Sequence, residues 1–295
     1  MHRYDAWLIG MVRSESFEGI RDGLSSEPIF TPQAMAAWNG YGAADPFAIW
    51  VKGVCYVFFE MLVRGQSNAV IAVAFSSDLK NWTLGGIVLQ ERHHLSYPFV
   101  FEYGGDWYMM PESKSQRRVD LYRAVEFPMR WERVSTLLQG RYMDATLVEH
   151  AGRYWMFAGW HSYWMRLFYA DSPLGPWKAH WQPVARFYSK LNVRPGGRPV
   201  RVGKELVRFA QDNRKCYGHQ LRAMRIDKLN RLWFREREWR SNTERSLGGS
   251  NDPFLSPRTD RWYSRCLHHL DIACRDEESD GGAQGKRWIG FFDGY

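Results

Sequence analysis

Three carboxylates, Asp45, Glu112 and Asp144, stand at matching points of a repeating pattern. Each lies at the outer end of a short β-rich run. Carboxyl groups gathered in one cleft suit cleavage of a glycosidic bond, in which one protonates the departing oxygen while another activates water or attacks the anomeric carbon. Crowding like charges raises the pKa of one member, and that member becomes the acid. On this reading Asp45 is the base, Glu112 the acid and Asp144 the third member. The competing reading is structural, with Asp accepting backbone N–H groups at strand starts and Glu pairing with Arg, because ion-pair networks also collect carboxylates.

Other side chains fall at the same ends of the pattern: Glu60, Tyr97, Arg198, Gln211, Asp212, His268, His269 and Asp293. They are expected to line the ligand, and Arg198 would suit an anionic glycan or phosphosugar. Trp160, close in sequence to Tyr163 and Trp164, offers a flat face to a sugar, although core packing is the commoner fate of such rings. The pairs His93-His94 and His268-His269 could ligate a metal, but neighbours in a strand point to opposite faces. Hydrogen bonds to sugar or backbone are the expected role. No cofactor is expected, and a structural cation in a central channel is left open. Phosphate-binding loops, the dinucleotide fingerprint and the G-x-S-x-G elbow are all missing, which excludes kinase, dehydrogenase and elbow-hydrolase chemistry.

The elements that must position these groups repeat. ADPFAIWVKGVCYVFFE (44–60), SYPFVFEYGGDWYMMPE (96–112), MDATLVEHAGRYWMFAG (143–159) and GRPVRVGKELVRFAQD (197–212) each read as strand, turn, strand. Glycines sit at the turns and β-branched or aromatic residues alternate along the flanks, the signature of β-hairpins. From Asp45 to Glu60, Tyr97 to Glu112, Asp144 to Gly159 and Gly197 to Asp212 the interval is 15 residues each time, so the hairpins superpose. After each comes an Ala-containing strand, a turn and a Trp, as in AVAFSSDLKNW (72–82), LYRAVEFPMRW (121–131), LFYADSPLGPW (167–177) and LRAMRIDKLNRLW (221–233). Spacings of 52, 47 and 54 residues between Asp45, Tyr97, Asp144 and Arg198 match a four-stranded propeller blade.

A fifth blade is expected from SRCLHHLDIAC (264–274) and RWIGFFDGY (287–295), split by the acidic, Gly-rich loop 276–285. The fold class is therefore all-β: residues 1–295 form a single five-bladed β-propeller of four antiparallel strands per blade, with hairpins starting near 44, 96, 143, 197 and 266. Ala6–Met11 is expected to add a strand to the last blade, because ring closure removes open sheet edges. In such a ring both ends of every hairpin face one central mouth.

Aromatic residues make up 16% of the chain, more than an aliphatic core requires, so they either pack flat sheets or bind something flat. The net charge of +8 raises a nucleic-acid or anionic-surface partner. The Lys and Arg are scattered and no nucleic-acid motif occurs, so no specific nucleic acid is expected. Of the four cysteines none forms a C-x-x-C pair; Cys266 and Cys274 could bridge, but buried free thiols are expected. No signal peptide and no transmembrane run is visible, which reads as soluble and cytoplasmic. One sequon, Asn81-Trp82-Thr83, would matter only in a secretory compartment.

The starts Asp45-Pro46-Phe47 and Asp144-Ala145-Thr146, with Ser77-Asp78-Leu79 before Trp82 and Ser172-Pro173-Leu174-Gly175-Pro176-Trp177, resemble the glycoside hydrolase family 43 superfamily of arabinanases and xylosidases. A closer resemblance covers residues 40–295 through HLSYPFVFEYGGDWYMMPES, DLYRAVEFPMRWE, SPLGPWKAH, GGRPVRVGKELVRFAQD, CLHHLD and WIGFFDG. These are similar to the N-terminal domain of plant glucosamine inositolphosphorylceramide transferases and to the propeller beside some bacterial formyltransferase-like domains.

The resemblance to the hydrolases implies a general-base role for Asp45 and a pKa-tuning role for Asp144. Their acid is a fourth-blade Glu, and here that blade starts Gly196-Gly197-Arg198 without a carboxylate. Glu112 is our substitute for it. In the transferases the transfer chemistry sits on a separate domain with no counterpart in this sequence. The resemblance thus implies a carbohydrate or glycolipid head group as ligand and association with a glycosyltransferase. Two readings follow: a glycosidase or transglycosylase, or a non-catalytic glycan- or phosphosugar-binding domain.

Overall fold

The computed structural model describes residues 6–21, 27–160, 164–182, 184–185, 191–239, 267, 269–277 and 285–294. Five small antiparallel sheets form a five-bladed β-propeller. Strand β1 (Leu8–Ser14) is followed by the first blade, β2 (Gly40–Val51), β3 (Val54–Val63), β4 (Val70–Ser76) and β5 (Thr83–Leu89). The second contains β6 (Ser96–Tyr103), β7 (Asp106–Glu112), β8 (Arg118–Glu126) and β9 (Arg130–Gln139). The third contains β10 (Tyr142–His150), β11 (Arg153–Trp160), β12 (Trp164–Ala170), β13 (Lys178–Ala179) and β14 (Val184–Ala185).

In the fourth blade the inner strand is split into β15 (Leu191–Pro195) and β16 (Val200–Val202), both paired with β17 (Glu205–Asp212), with β18 (Gln220–Leu229) and β19 (Phe234–Glu238) outside. The repeat placed the start of this blade at 197 and missed β15. The last sheet holds β20 (Leu270–Glu277) and β21 (Gly285–Gly294), with β1 against β21 from Leu8↔Gly294 to Ser14↔Trp288. The N-terminal strand therefore closes the ring, as the sequence led us to expect, and three strands of this sheet lie among the described residues. The expected loop 276–285 is shorter at both ends, since β20 runs to Glu277 and β21 starts at Gly285; 278–284 lie outside the described residues.

Part of the aromatic excess lies at the seams between blades. Phe58 meets Trp131 edge-on at 5.6 Å between the first and second blades, Tyr103 meets Tyr154 at 6.0 Å between the second and third, and Phe157 meets Phe234 at 5.7 Å between the third and fourth. Phe17 bridges Trp239 and Trp288, and Trp82 meets Phe291 at 5.7 Å. Each such pair adds about 0.5–1.5 kcal/mol beyond its burial.

The channel is filled. Phe47, Tyr97 and His269 pack at mutual ring distances of 4.7–5.2 Å, and the Arg198 guanidinium lies 4.5 Å from the Phe99 ring. Tyr97 Oη shares a hydrogen bond with Thr146 Oγ1 at 2.8 Å and accepts one from the Gly197 N–H at 2.9 Å, joining three blades.

Cys55 is buried and in no disulfide, as expected, but Cys216, also in no disulfide, is exposed because it lies in the loop after β17; Cys266 is outside the described residues. Among the described residues no helix is long and apolar enough to cross a membrane.

Candidate functional site

The inner hairpins of the first three blades share a defect. The ladder slips by one residue between Ala44 and Phe47, between Ser96 and Phe99, and between Met143 and Thr146. The residue inside each slip has a left-handed backbone: Asp45 at φ 51°, Tyr97 at 48° and Asp144 at 50°. Non-glycine residues rarely adopt this conformation, and bulges that re-aim a side chain collect beside functional sites. In the fourth blade an extra residue widens the slip, and the left-handed position passes to Gly197 at φ 135°.

This shift relocates Arg198. The repeat aligned it with Asp45, Tyr97 and Asp144 and put it in the mouth. Its guanidinium instead donates to Asp271 Oδ1 at 3.1 Å and to the Val100 carbonyl at 2.9 Å. Val100 is three residues beyond Tyr97, and Asp271 also accepts from the N–H of Ala48, three residues beyond Asp45. Arg198 thus braces the channel below the mouth.

The cation at the mouth is Arg194, at the end of β15. Its Nε donates to Asp144 Oδ2, its Nη2 donates to Asp144 Oδ1 at 3.1 Å, and Nη2 lies 3.8 Å from Glu112 Oε2. Gln211 donates to the same Asp144 Oδ2 at 3.0 Å and to the Pro195 carbonyl at 2.9 Å. The backbone N–H of Asp144 donates to Glu112 Oε2 at 3.0 Å, and that of Asp45 donates to Asp293 Oδ2 at 2.9 Å. Two hairpin-end carboxylates thus cap the left-handed residue of the next blade without leaving the mouth; the structural reading had Asp in this role and Glu paired with Arg, whereas here Glu112 accepts the N–H of Asp144 and Asp144 takes the guanidinium of Arg194.

Burial is the largest cause of the raised pKa of Glu112, reinforced by Asp144 and opposed by Arg194, and it is pushed up to about 8. Glu60 is raised well above the carboxylate range, first by burial and then by Asp45, Glu112 and Asp293, against Arg194. Its neighbour is His94, whose Nε2 lies 3.4 Å from Glu60 Oε1 while Nδ1 accepts the Ala69 N–H at 3.2 Å. That acceptor role assigns the proton to Nε2, which faces Glu60. Burial, then His93, lowers the pKa of His94 and favours the neutral ring.

His269 is fully buried, with Nε2 2.8 Å from the Pro46 carbonyl and Nδ1 3.8 Å from Asp45 Oδ1. His268 lies outside the described residues. Asp212 is tied up within its own blade. It accepts from Arg214, Gln220 and Arg222 at 2.8–3.0 Å, and these bonds outweigh its burial and hold its pKa below the usual carboxylate range. Trp160, half-buried, sits at the mouth end of β11 with the Arg166 guanidinium 5.4 Å from its ring.

Two residues escaped the sequence reading. Arg194 precedes the recognisable repeat. Tyr217 lies in the loop after β17, 53% exposed, with the Arg194 guanidinium 5.3 Å from its ring. A chain of bonds from Gln211 through Asn213 to the Gly218 N–H fixes that loop. No motif marked either residue; only the chain's return to the mouth did. Among the described residues no group of three His, Cys, Asp or Glu is arranged to hold a metal ion.

Residues 25–294 match the family described as glucosamine inositolphosphorylceramide transferase 1, N-terminal. Glucosamine inositolphosphorylceramide transferase 1 of Oryza sativa subsp. japonica is 32% identical over 98% of this chain and 40% of its own length. That of Arabidopsis thaliana is 35% identical over 78% of the chain and 30% of its own. The chain thus spans about two fifths, or less, of these curated relatives. Among solved structures, a thermostable family-43 glycoside hydrolase superposes with a TM-score of 0.57 at 12% identity, covering 84% of this chain and 88% of that one, a likeness of fold. With the family match spanning nearly all of the ring, the chain belongs to the glucosamine inositolphosphorylceramide transferase 1 N-terminal family.

Proposed function

We propose that the mouth binds a carbohydrate and that Glu112 is its proton donor. The observation that carries this reading is the Glu112–Asp144–Arg194 cluster, in which burial and a like charge lift one carboxyl to about 8 beside a carboxylate clamped by a guanidinium. A carboxyl still protonated at neutral pH can give its proton to a glycosidic oxygen. Asp45, held in its bulge, would take a proton from water or an acceptor hydroxyl. Tyr217 and Trp160 offer the sugar flat apolar surface.

The mouth is acidic. Asp45, Glu60, Glu112, Asp144 and Asp293 outnumber Arg194, and Arg198 is engaged below. A sugar bearing an ammonium group would relieve this crowding, which disfavours the anionic-ligand alternative. The relatives' name, which includes glucosamine, points the same way. Binding without turnover is the second reading, favoured by Gly197 at the fourth-blade position where the hydrolase resemblance expects the acid.

Calorimetric titration with glucosamine, N-acetylglucosamine and glucose, alongside hydrolysis of aryl glycosides, tests the proposal. Glucosamine should bind most tightly, and Tyr217→Ala should weaken it. Glu112→Gln should cut turnover by about 10²–10⁴-fold while leaving affinity within a few-fold. Absence of any sugar binding refutes the site, and hydrolysis surviving Glu112→Gln refutes the proton donor.

A further inference from the structure

The face opposite the mouth carries an aromatic and basic patch at the seam of the third and fourth blades. β10 leaves the mouth near Asp144 and ends at His150, and β18 leaves beside Asp212 and ends at Leu229. Residues 151–152 and 230–233, which follow these strands, therefore sit on the far side of the ring. There Trp181, Leu232 and Trp233 are 63%, 65% and 52% exposed.

The exposure is built. Trp181 Nε1 donates to the Leu232 carbonyl at 2.8 Å, and its ring meets Trp233 edge-on at 6.0 Å. Asn230 Oδ1 accepts the N–H groups of both Leu232 and Trp233 at 2.9 Å, which fixes the tip. Beside it runs a groove of about 600 Å³ lined by His150, Arg153, Lys228, Arg231 and Trp233. Holding three large apolar side chains in water is unfavourable, and contiguous patches of this kind mark interaction surfaces.

The charge around the patch is positive. Lys178, Lys204, Lys228, Arg231 and Arg235 are exposed. Arg153 is matched by Asp171 at 3.0 Å, and Asp227 serves Arg225, Arg237 and, at 3.9 Å, Arg235. Lys228 and Arg231 meet only rings among the described contacts, at 5.8 Å from Trp233 and 5.5 Å from Tyr169.

We propose that this face docks on an anionic bilayer surface, with Trp181, Leu232 and Trp233 entering the boundary between head groups and acyl chains and Lys228 and Arg231 facing lipid phosphates. Indole rings settle at that boundary, and cations beside them are drawn to anionic lipid. Docked in this way, the mouth opens away from the bilayer and receives its ligand from the aqueous side.

Co-sedimentation of the full chain with vesicles tests the proposal, using phosphatidylcholine alone and phosphatidylcholine with phosphatidylserine in a two-to-one ratio. The protein should sediment with the anionic vesicles, far less with the neutral ones, and less as salt rises. Lys228→Glu with Arg231→Glu should lower partitioning at least about tenfold, since each surface cation contributes about fivefold. Leu232→Asn with Trp233→Gln should lower it by a similar factor at unchanged melting temperature, because both side chains are exposed. On vesicle binding, slowed hydrogen exchange should appear at 228–235. Equal binding to both vesicles, binding to neither, wild-type binding by the variants, or protection confined to the mouth loop 213–219 would each overturn the docking.

Discussion

The carboxylate of Asp293 accepts the backbone N–H of Asp45 at 2.9 Å, across 248 residues of chain. It ties the last blade to the first at the point where the ring closes, as Glu112 ties the second to the third. Asp293→Leu removes an acceptor from a buried N–H and should cost about 1–3 kcal/mol. Asp293→Asn keeps an acceptor oxygen and should cost much less. Urea unfolding of both variants measures the difference, and equal losses would assign the bond's value to charge.

The raised pKa of Glu112 predicts how stability depends on pH. The folded chain keeps this proton up to about 8, whereas the unfolded chain releases it in the ordinary carboxyl range near 4.5. Between those values the folded state binds more protons, so stability should fall as pH rises and level off above the upper value. Glu60, also raised, adds to the same fall. Denaturation across this window should show a shallower slope in Glu112→Gln than in the wild type.

Arg194 is paired inside a mostly buried cluster, so its removal strands Asp144. Arg194→Met should destabilise by about 3–5 kcal/mol, whereas the double variant with Asp144→Asn should recover much of the loss. Strict additivity in thermal or chemical unfolding would show that the two side chains do not act as a pair.

Gly197 has no room for a side chain. A Cβ there would stand 1.9 Å from the Leu270 carbonyl oxygen, which is backbone of the next blade. Gly197→Ala should therefore disrupt the seam between the fourth and fifth blades and give a greatly lowered melting temperature. At Gly203, also left-handed at φ 60°, nothing lies within 4 Å, so Gly203→Asn should change stability by only about 1 kcal/mol.

Much of the ring was legible because four hairpins keep the same 15-residue span around a Gly turn, a pattern set by local backbone rules. Mouth residues on strand ends, such as Glu112 and Asp144, came with it. Residues displaced by a local irregularity did not. One extra residue before Val200 moved Arg198 down the channel, and a side chain outside the repeat, Arg194, took the place assigned to it. Tyr217 was hidden for another reason: a loop returns to the mouth through tertiary hydrogen bonds that no periodicity records.

The pairing of Leu8 with Gly294 has a mechanical consequence. Both of these strand ends leave the ring side by side, next to Asp293 and hence at the mouth. Tension between them loads the β1–β21 ladder at its first rung, so the pair should peel open one hydrogen bond at a time at low force, where the same strands pulled from opposite ends would resist in shear. A short peptide joining these ends, with new ends cut at the open turn of Gly203, should convert that zipper into a covalent hoop and shift the weakest point of the ring to the fourth blade.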